Sequence, residues 1–248
     1  MNGAVLSFIK SNGGAGATAL AVQMACASSD AVALLDLDIQ FGCAAFQMDV
    51  VPRSSIIDLV ATPERIDPAM VKRAMVRAHQ RFDLLAAPSG VHPVDDVSVA
   101  GVLKVIDAAR RVYDTILIDL PEIWTDWSHA ALANSDHIIM VTRLSIPALR
   151  QARRQMEMLE QQGLGRIPLS LIANQVERSL FAKAPSKRDG EEILGRAIDF
   201  AIRDDPAMQL AGDSGLPLSE IRGGRSLVRT LGRIITKLRA DGALPQAA

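Results

Sequence analysis

Residues 12 to 18 read Asn12-Gly13-Gly14-Ala15-Gly16-Ala17-Thr18, three glycines in a short loop closed by a hydroxyl. Glycines at that density let several backbone N–H groups converge on one anion, because a Cβ there would obstruct a phosphate oxygen. Thr18 is placed to ligate magnesium through its hydroxyl, and the start of a helix beyond it adds the partial positive charge of unpaired amides. Loops of this kind carry a lysine just before the hydroxyl residue, and here Ala17 holds that place. One cation on the phosphates is lost, and with it a charge-assisted hydrogen bond worth about 1.5–3 kcal/mol. Such a loop can hold a nucleotide more weakly and is poorly equipped to cleave it.

Acids stand where such a loop needs them. Ala33 to Asp38 reads as an apolar strand ending in the carboxylates of Asp36 and Asp38, and Thr115 to Pro121 as another ending in Asp119. In an open parallel sheet, ligand-binding groups collect at the carboxyl ends of the strands. Three such ends, carrying a phosphate loop and acids, point to one site. Thr18, Asp38 and Asp119 are therefore the expected metal-side residues.

The elements that must position these groups follow from the apolar patterning. Residues 4–9 read as a buried strand entering the loop, and Thr18 to Ala27, rich in alanine, as the helix leaving it. Short helices are expected at Ser55 to Ala61 and Pro68 to Ala78, a strand at Phe82 to Ala87, and a helix at Val97 to Arg111. After the Asp119 strand come a helix at Trp127 to Asn134, a strand at His137 to Thr142, a helix at Pro147 to Gln162 and a strand at Leu169 to Ala173. The pattern closes with a helix at Arg188 to Arg196, a short strand at Asp199 to Ile202, and helices at Pro206 to Leu210 and Leu227 to Arg239. Alternation of strands and helices with near-continuous apolar strands predicts an α/β, doubly wound, mostly parallel sheet with helices on both faces, of P-loop NTPase-like type.

Composition narrows the classes. With 248 residues and 49% hydrophobic content the chain can bury one large core, and residues 1–248 read as a single domain. A net charge of −1 favours neither nucleic acid nor an anionic membrane in bulk, so DNA is not the expected partner. Cys26 and Cys43 are far apart and the four histidines are scattered, which argues against disulfide and zinc frameworks and for a reducing, cytoplasmic setting. No apolar run approaches the ~20 residues that span a bilayer. The last helix carries Arg225, Arg229, Arg233 and Lys237 on one face and Leu227, Leu231, Ile234 and Leu238 on another. A solvent-facing stripe on a core helix is the first reading, and a surface for DNA or for peripheral contact with anionic lipid stays open beside it.

Taken together these segments resemble the deviant Walker-A ATPases that include ParA and MinD, whose loop reads KGGxGK[ST]. Both lysine positions depart here, as Asn12 and Ala17. Asp36 to Gln40 resembles that family's switch I, Asp119-Leu120-Pro121 its Walker B and switch II, and Asn174 its adenine-reading asparagine, which implies that Asp38 orients the attacking water if chemistry occurs and that Asp119 holds magnesium through a water. The segment from Asp205 to Leu218 is similar to its late loop and helix, with Arg203 where a proline is usual. The resemblance spans nearly the whole chain and implies ATP and Mg2+ as ligands. On it, Asn12, Gly13, Gly14, Ala15, Gly16, Ala17, Thr18, Ala19, Asn174 and Arg203 are the nucleotide-side residues.

Within that family, Gly14-Ala-Gly-Ala-Thr18 and the run from Leu35 to Cys43 look most like the TadZ/CpaE pilus-assembly proteins. That implies an ATP-binding homodimer working with the assembly and secretion proteins of Flp-type (Tad) pili, recruited to a cell pole. Such proteins commonly carry a receiver-like domain ahead of the ATPase domain; the sequence starts directly at a strand, so either that domain is absent or the chain is a fragment. The family's first lysine is implied to cross the dimer interface onto the partner's phosphates, and charges of that kind contribute roughly 10³–10⁵ in rate. With Asn12 there, hydrolysis is expected to be slow or absent. Lys10, Arg143, Arg222 and Arg225 are the alternative cations, each read first as a solvated charge. Trp124 and Trp127, just past Pro121, are read equally as core anchors and as contact residues.

Overall fold

The apolar runs assemble into one eight-stranded sheet in a computed structural model that describes residues 3–80, 82–177 and 185–246. Its strands are β1 (Ala4–Lys10), β2 (Val32–Asp36), β3 (Val76–His79), β4 (Phe82–Leu85), β5 (Thr115–Asp119), β6 (His137–Arg143), β7 (Leu169–Val176) and β8 (Phe200–Arg203). They lie in the order β3-β4-β2-β5-β1-β6-β7-β8, all parallel except β3. The helices are α1 (Ala17–Ala27), α2 (Ile56–Val60), α3 (Pro68–Ala74), α4 (Val99–Arg110), α5 (Asp126–Ala133), α6 (Ile146–Gln161), α7 (Lys187–Leu194), α8 (Pro206–Ser214) and α9 (Arg225–Ala240).

Strand alternation splits the core in two. Val5 and Ile9 of β1 and Ala33 and Leu35 of β2 pack under α2 to α7. Leu6 and Phe8, with Val32 and Leu34, pack under α1, α8 and α9 on the opposite face. Buried on both faces, these strands must be apolar throughout, which is why they read as continuous runs rather than as an alternating pattern. The expected doubly wound, mostly parallel sheet is present.

Topology then places the acids. The chain runs outward from β1 through β2 to β4, returns to insert β5 beside β1, and crosses to β6, β7 and β8. Register aligns Phe8 with Asp119 and Asp36 with Asp119, so the carboxyl ends of β1, β2 and β5 open side by side. The order of winding reverses at β1, and a crevice at such a switch point is where open α/β sheets take ligands.

Several elements end a few residues from the sequence reading, β7 at Val176 and α8 at Ser214, and two differences change a residue's setting. The helix expected over Pro68 to Ala78 stops at Ala74, and Val76–His79 is instead an antiparallel edge strand on β4. Lys72 and Arg77 both pair with the buried Asp83, at 2.5 and 2.7 Å, which ties the helix end and the strand to one carboxylate. The strand read as Ala33 to Asp38 ends at Asp36, and Asp38 sits in the following turn.

Candidate functional site

Helices α3 to α8 each begin with a side chain accepting from their own first-turn amides: Asp67, Ser98, Thr125, Ser145, Ser186 and Asp205. Helix α1 does not. It starts after Gly16, which is left-handed at φ 86°, with no side-chain cap and no acid in the first turn. The N–H groups of Gly16, Ala17, Thr18 and Ala19 find no acceptor among the described residues, so the amides of this turn are left for an anion. Gly16 must be glycine twice over. Its φ disfavours any side chain, and a Cβ would lie 2.5 Å from Asn174 Nδ2.

Asn174, at the end of β7, donates from Nδ2 to the Ala15 carbonyl at 2.9 Å and so clamps the loop from beneath. Asn12 turns its amide onto the Gly13 carbonyl, 2.9 Å away, and accepts from the Ser11 hydroxyl. Two clefts flank the loop. One, of about 490 Å3, is lined by Lys10, Gly13, Gly14, Ala17, Thr18 and Asp38, with Phe41 and Ile123 also on its wall. The other, of about 570 Å3, is lined by Asn174, Gln175, Arg203, Asp205 and Met208. Gly16, Ala19 and Gln47 belong to both, so the clefts meet along the start of α1. Gln175 sits at φ 54° where the β7–β8 register shifts, which turns it to the second cleft. Nothing in its sequence context marks it beforehand.

In the first cleft the Thr18 hydroxyl donates to Asp119 Oδ2 at 2.5 Å. Asp119 is fully buried, and its Oδ1 has no hydrogen-bond partner among the described residues. Burial pushes this carboxyl above the usual range, against the opposing pull of the Lys10 ammonium and the Thr18 hydroxyl. Asp36 and Asp38 part company. Asp36 turns inward, accepting from the amides of Asp38 and Ala44, and burial together with the Asp119 charge raises its carboxyl strongly. Gly42 crosses it so closely that a Cβ would lie 2.5 Å from its Oδ1. Asp38 turns to the cleft, accepting from the Phe41 amide at 3.1 Å and from Lys10 Nζ at 2.9 Å.

Lys10 corrects the reading of it as a solvated charge: its side chain is only 13% exposed. Arg143, Arg222 and Arg225 are exposed and line neither cleft. Trp127 is a core anchor, its Nε1 donating to the Val94 carbonyl at 3.0 Å, while Trp124 packs half-buried against the same core. The apolar residues actually presented at the mouth are Phe41 and Ile123, 76% and 49% exposed. On α9, Arg225, Arg229 and Arg233 face solvent and the leucines are buried, while Lys237 pairs with Asp241 and the largely buried Arg239 with Asp30 at 2.7 Å. No helix among the described residues is long and apolar enough to cross a membrane.

The residues present fit a magnesium nucleotide. No group of three or more His, Cys, Asp or Glu side chains among the described residues could hold a metal alone. A hydroxyl and one carboxylate with an unpartnered oxygen would be the protein's share of a magnesium site completed by phosphate and water. Thr18 and Asp119 would hold it, with Asp38 beside them.

A parallel sheet with a glycine loop between β1 and α1 and acids at the ends of β2 and β5 defines a P-loop NTPase-type nucleotide-binding fold. More narrowly, the fold is that of the ParA/MinD ATPases. The ParA family ATPase of Chlorobium tepidum superposes with a TM-score of 0.83 at 21% identity, over 93% of this chain and 96% of that one. The septum site-determining protein MinD of Pyrococcus horikoshii, solved with Mg-ADP, superposes at 0.77 with 18% identity, over 93% and 95%. In sequence, an uncharacterised protein of Mycobacterium tuberculosis is 32% identical over 152 residues, covering 60% of this chain and 42% of its own length. The match thus spans well under half of that relative. No family model matches the chain.

Proposed function

We propose that the chain binds ATP with magnesium in the two joined clefts and serves, as a face-to-face homodimer, as a spatial scaffold for assembly of Flp-type (Tad) pili, with slow or absent hydrolysis. The observation that carries the nucleotide half is the uncapped α1 turn beside the Thr18–Asp119 pair. Phosphate oxygens take the free amides of residues 16–19, and the base lies toward Asn174, Gln175 and Arg203. When bound, magnesium neutralises phosphate charge and fixes the phosphates' orientation. Thr18 and Asp119 would hold it, Lys10 and the amides would face the phosphates, and Asp38 stands where a water would be oriented. Phe41 and Ile123 give the mouth an apolar rim suited to a second copy.

The pilus half is supported by the sequence of the loop and of Leu35 to Cys43, with alanine and asparagine where hydrolytic relatives place lysines. A second reading, an active ATPase that positions DNA or the division site, is supported by the likeness to ParA and MinD structures. Phosphate release at millimolar ATP and magnesium separates the two, alongside equilibrium binding of a fluorescent ATP analogue. Saturable magnesium-dependent binding with little release is the expected result. Rapid turnover would select the second reading, and no association at high ligand excess would sink both.

A further inference from the structure

Lys10 is the last residue of β1, and the surrounding structure fixes where its ammonium can go. The backbone at this point is held from both sides: the Ser11 amide donates to the Val141 carbonyl, and Gln155 of α6 donates to the Lys10 carbonyl at 3.0 Å. From that anchor the side chain runs under the glycine loop into the first cleft, where it lines the same wall as Gly13, Gly14, Ala17 and Thr18. Burial alone would favour the neutral amine, but the carboxylates of Asp119, Asp38 and Asp36 outweigh it and keep the group protonated above the ordinary lysine range. A lysine ammonium has three protons to donate. The Asp38 Oδ2 bond at 2.9 Å is the only one recorded for it among the described residues.

The charges around it are unbalanced. Three carboxyl groups meet one ammonium, and the two positions from which a loop lysine would neutralise phosphate hold Asn12 and Ala17. Asn12 is turned back onto Gly13. Among the described residues no other lysine or arginine lines this cleft.

We infer that Lys10 is the phosphate-facing cation of the site, a substitute presented from the end of the central strand instead of from the loop, and that its ammonium is shared between Asp38 and the terminal phosphate of a bound nucleoside triphosphate. This rests on the nucleotide reading above. It adds that the site separates triphosphate from diphosphate through Lys10, and that triphosphate loosens the Lys10–Asp38 pair. A charged hydrogen bond of this kind corresponds to roughly a 10- to 100-fold change in affinity.

The test is the dissociation constant for ATP and for ADP, each with magnesium, by isothermal titration of the full chain. Lys10→Met is expected to weaken ATP about 10- to 100-fold and ADP by less than about threefold. Adding Ala17→Lys to Lys10→Met, which returns a cation at the loop, is expected to recover most of the ATP affinity. Lys10→Met strands the buried Asp38 charge, so Lys10→Met/Asp38→Asn is measured as well, with thermal melts to establish folding. It is expected to show the same selective loss of ATP. Unchanged ATP affinity in both variants, or equal losses for ATP and ADP, would overturn the assignment while leaving nucleotide binding intact. A wild-type chain that binds neither nucleotide would instead refute the reading on which the assignment rests.

Discussion

Replacing Thr18 tests the site where its geometry is tightest. The hydroxyl donates to Asp119 Oδ2 at 2.5 Å, and the other carboxylate oxygen has no partner among the described residues. Thr18→Val keeps the shape and removes the donor, leaving a fully buried carboxylate with no hydrogen bond. Losing a bond to a charged group costs about 1.5–3 kcal/mol. At roughly 2–4 °C per kcal/mol for a chain of this size, the melting temperature should fall by about 3–12 °C without ligand. Thr18→Ser keeps the donor and should fall by much less.

Ligand gives a second readout from the same variants. At 100 times the dissociation constant, binding stabilises a fold by about 2.7 kcal/mol, which in the wild type appears as a rise of roughly 5–11 °C with ATP and magnesium. Thr18→Val should lose the part of that rise that chelation by EDTA abolishes, and Thr18→Ser should keep it. Differential scanning fluorimetry with and without EDTA measures both. A valine variant as stable as wild type would refute the electrostatic account of Asp119. One with an undiminished magnesium-dependent rise would refute the placing of Thr18 on the metal.

Three further expectations follow from single contacts. Gly16→Ala, at φ 86° and with its Cβ driven to within 2.5 Å of Asn174 Nδ2, should lose about 1–2 kcal/mol or more in urea unfolding; an unchanged midpoint would mean the loop takes another path. Gln23 is buried in α1 and holds residues 216–218, accepting from the Leu218 amide at 2.7 Å and donating to the Leu216 carbonyl. Gln23→Ala orphans that buried amide and should cost about 1–3 kcal/mol by the same assay, whereas no loss would show that other contacts, such as the Leu216 amide on the Ala211 carbonyl, suffice to hold the segment. His137 is buried beside Ser170 Oγ at 2.8 Å, and burial holds its imidazole below the ordinary value of 6.5 against the weaker pull of Asp241 and Asp199. The unfolded chain therefore takes up a proton near pH 6.5 that the fold resists, so stability should be full above that pH and decline as pH drops toward 5. His137→Asn should flatten this part of a melting-temperature profile, and an unaltered slope would assign the acid sensitivity to other groups.

What the sequence disclosed and what it hid divide along physical lines. The loop, the central strands and the doubly wound, mostly parallel architecture were legible because glycine density and continuous apolar runs are local signals that the fold has no reason to override. Asp36 and Asp38 looked like a pair because both follow an apolar run. Only the crossing of Gly42 over Asp36 shows one acid holding backbone amides and the other facing the cleft. The edge strand Val76–His79 was hidden because its anchor, Asp83, lies on β4 and recruits Lys72 and Arg77 from two elements at once. Lys10 carried one usable hint: a charged residue ending the most central strand cannot reach bulk water as a surface lysine does, so it must find carboxylates or a ligand.

The position of that lysine bears on why such a site would hold a nucleotide and not consume it. A loop lysine sits among the phosphate-binding amides and is free to follow charge as it develops on the transferring phosphoryl group. Lys10 approaches from a strand whose end is pinned by Gln155, and its ammonium is engaged with Asp38, the residue that would orient water. An Asp38 that accepts from Lys10 is less available to accept from a nucleophile. A cation shared with that acid also neutralises the ground state at least as well as the transition state, and interactions that do not strengthen along the reaction contribute nothing to kcat. On the proposed reading, an ammonium presented from the strand instead of the loop would preserve the electrostatics of binding while withholding the differential stabilisation that hydrolysis needs.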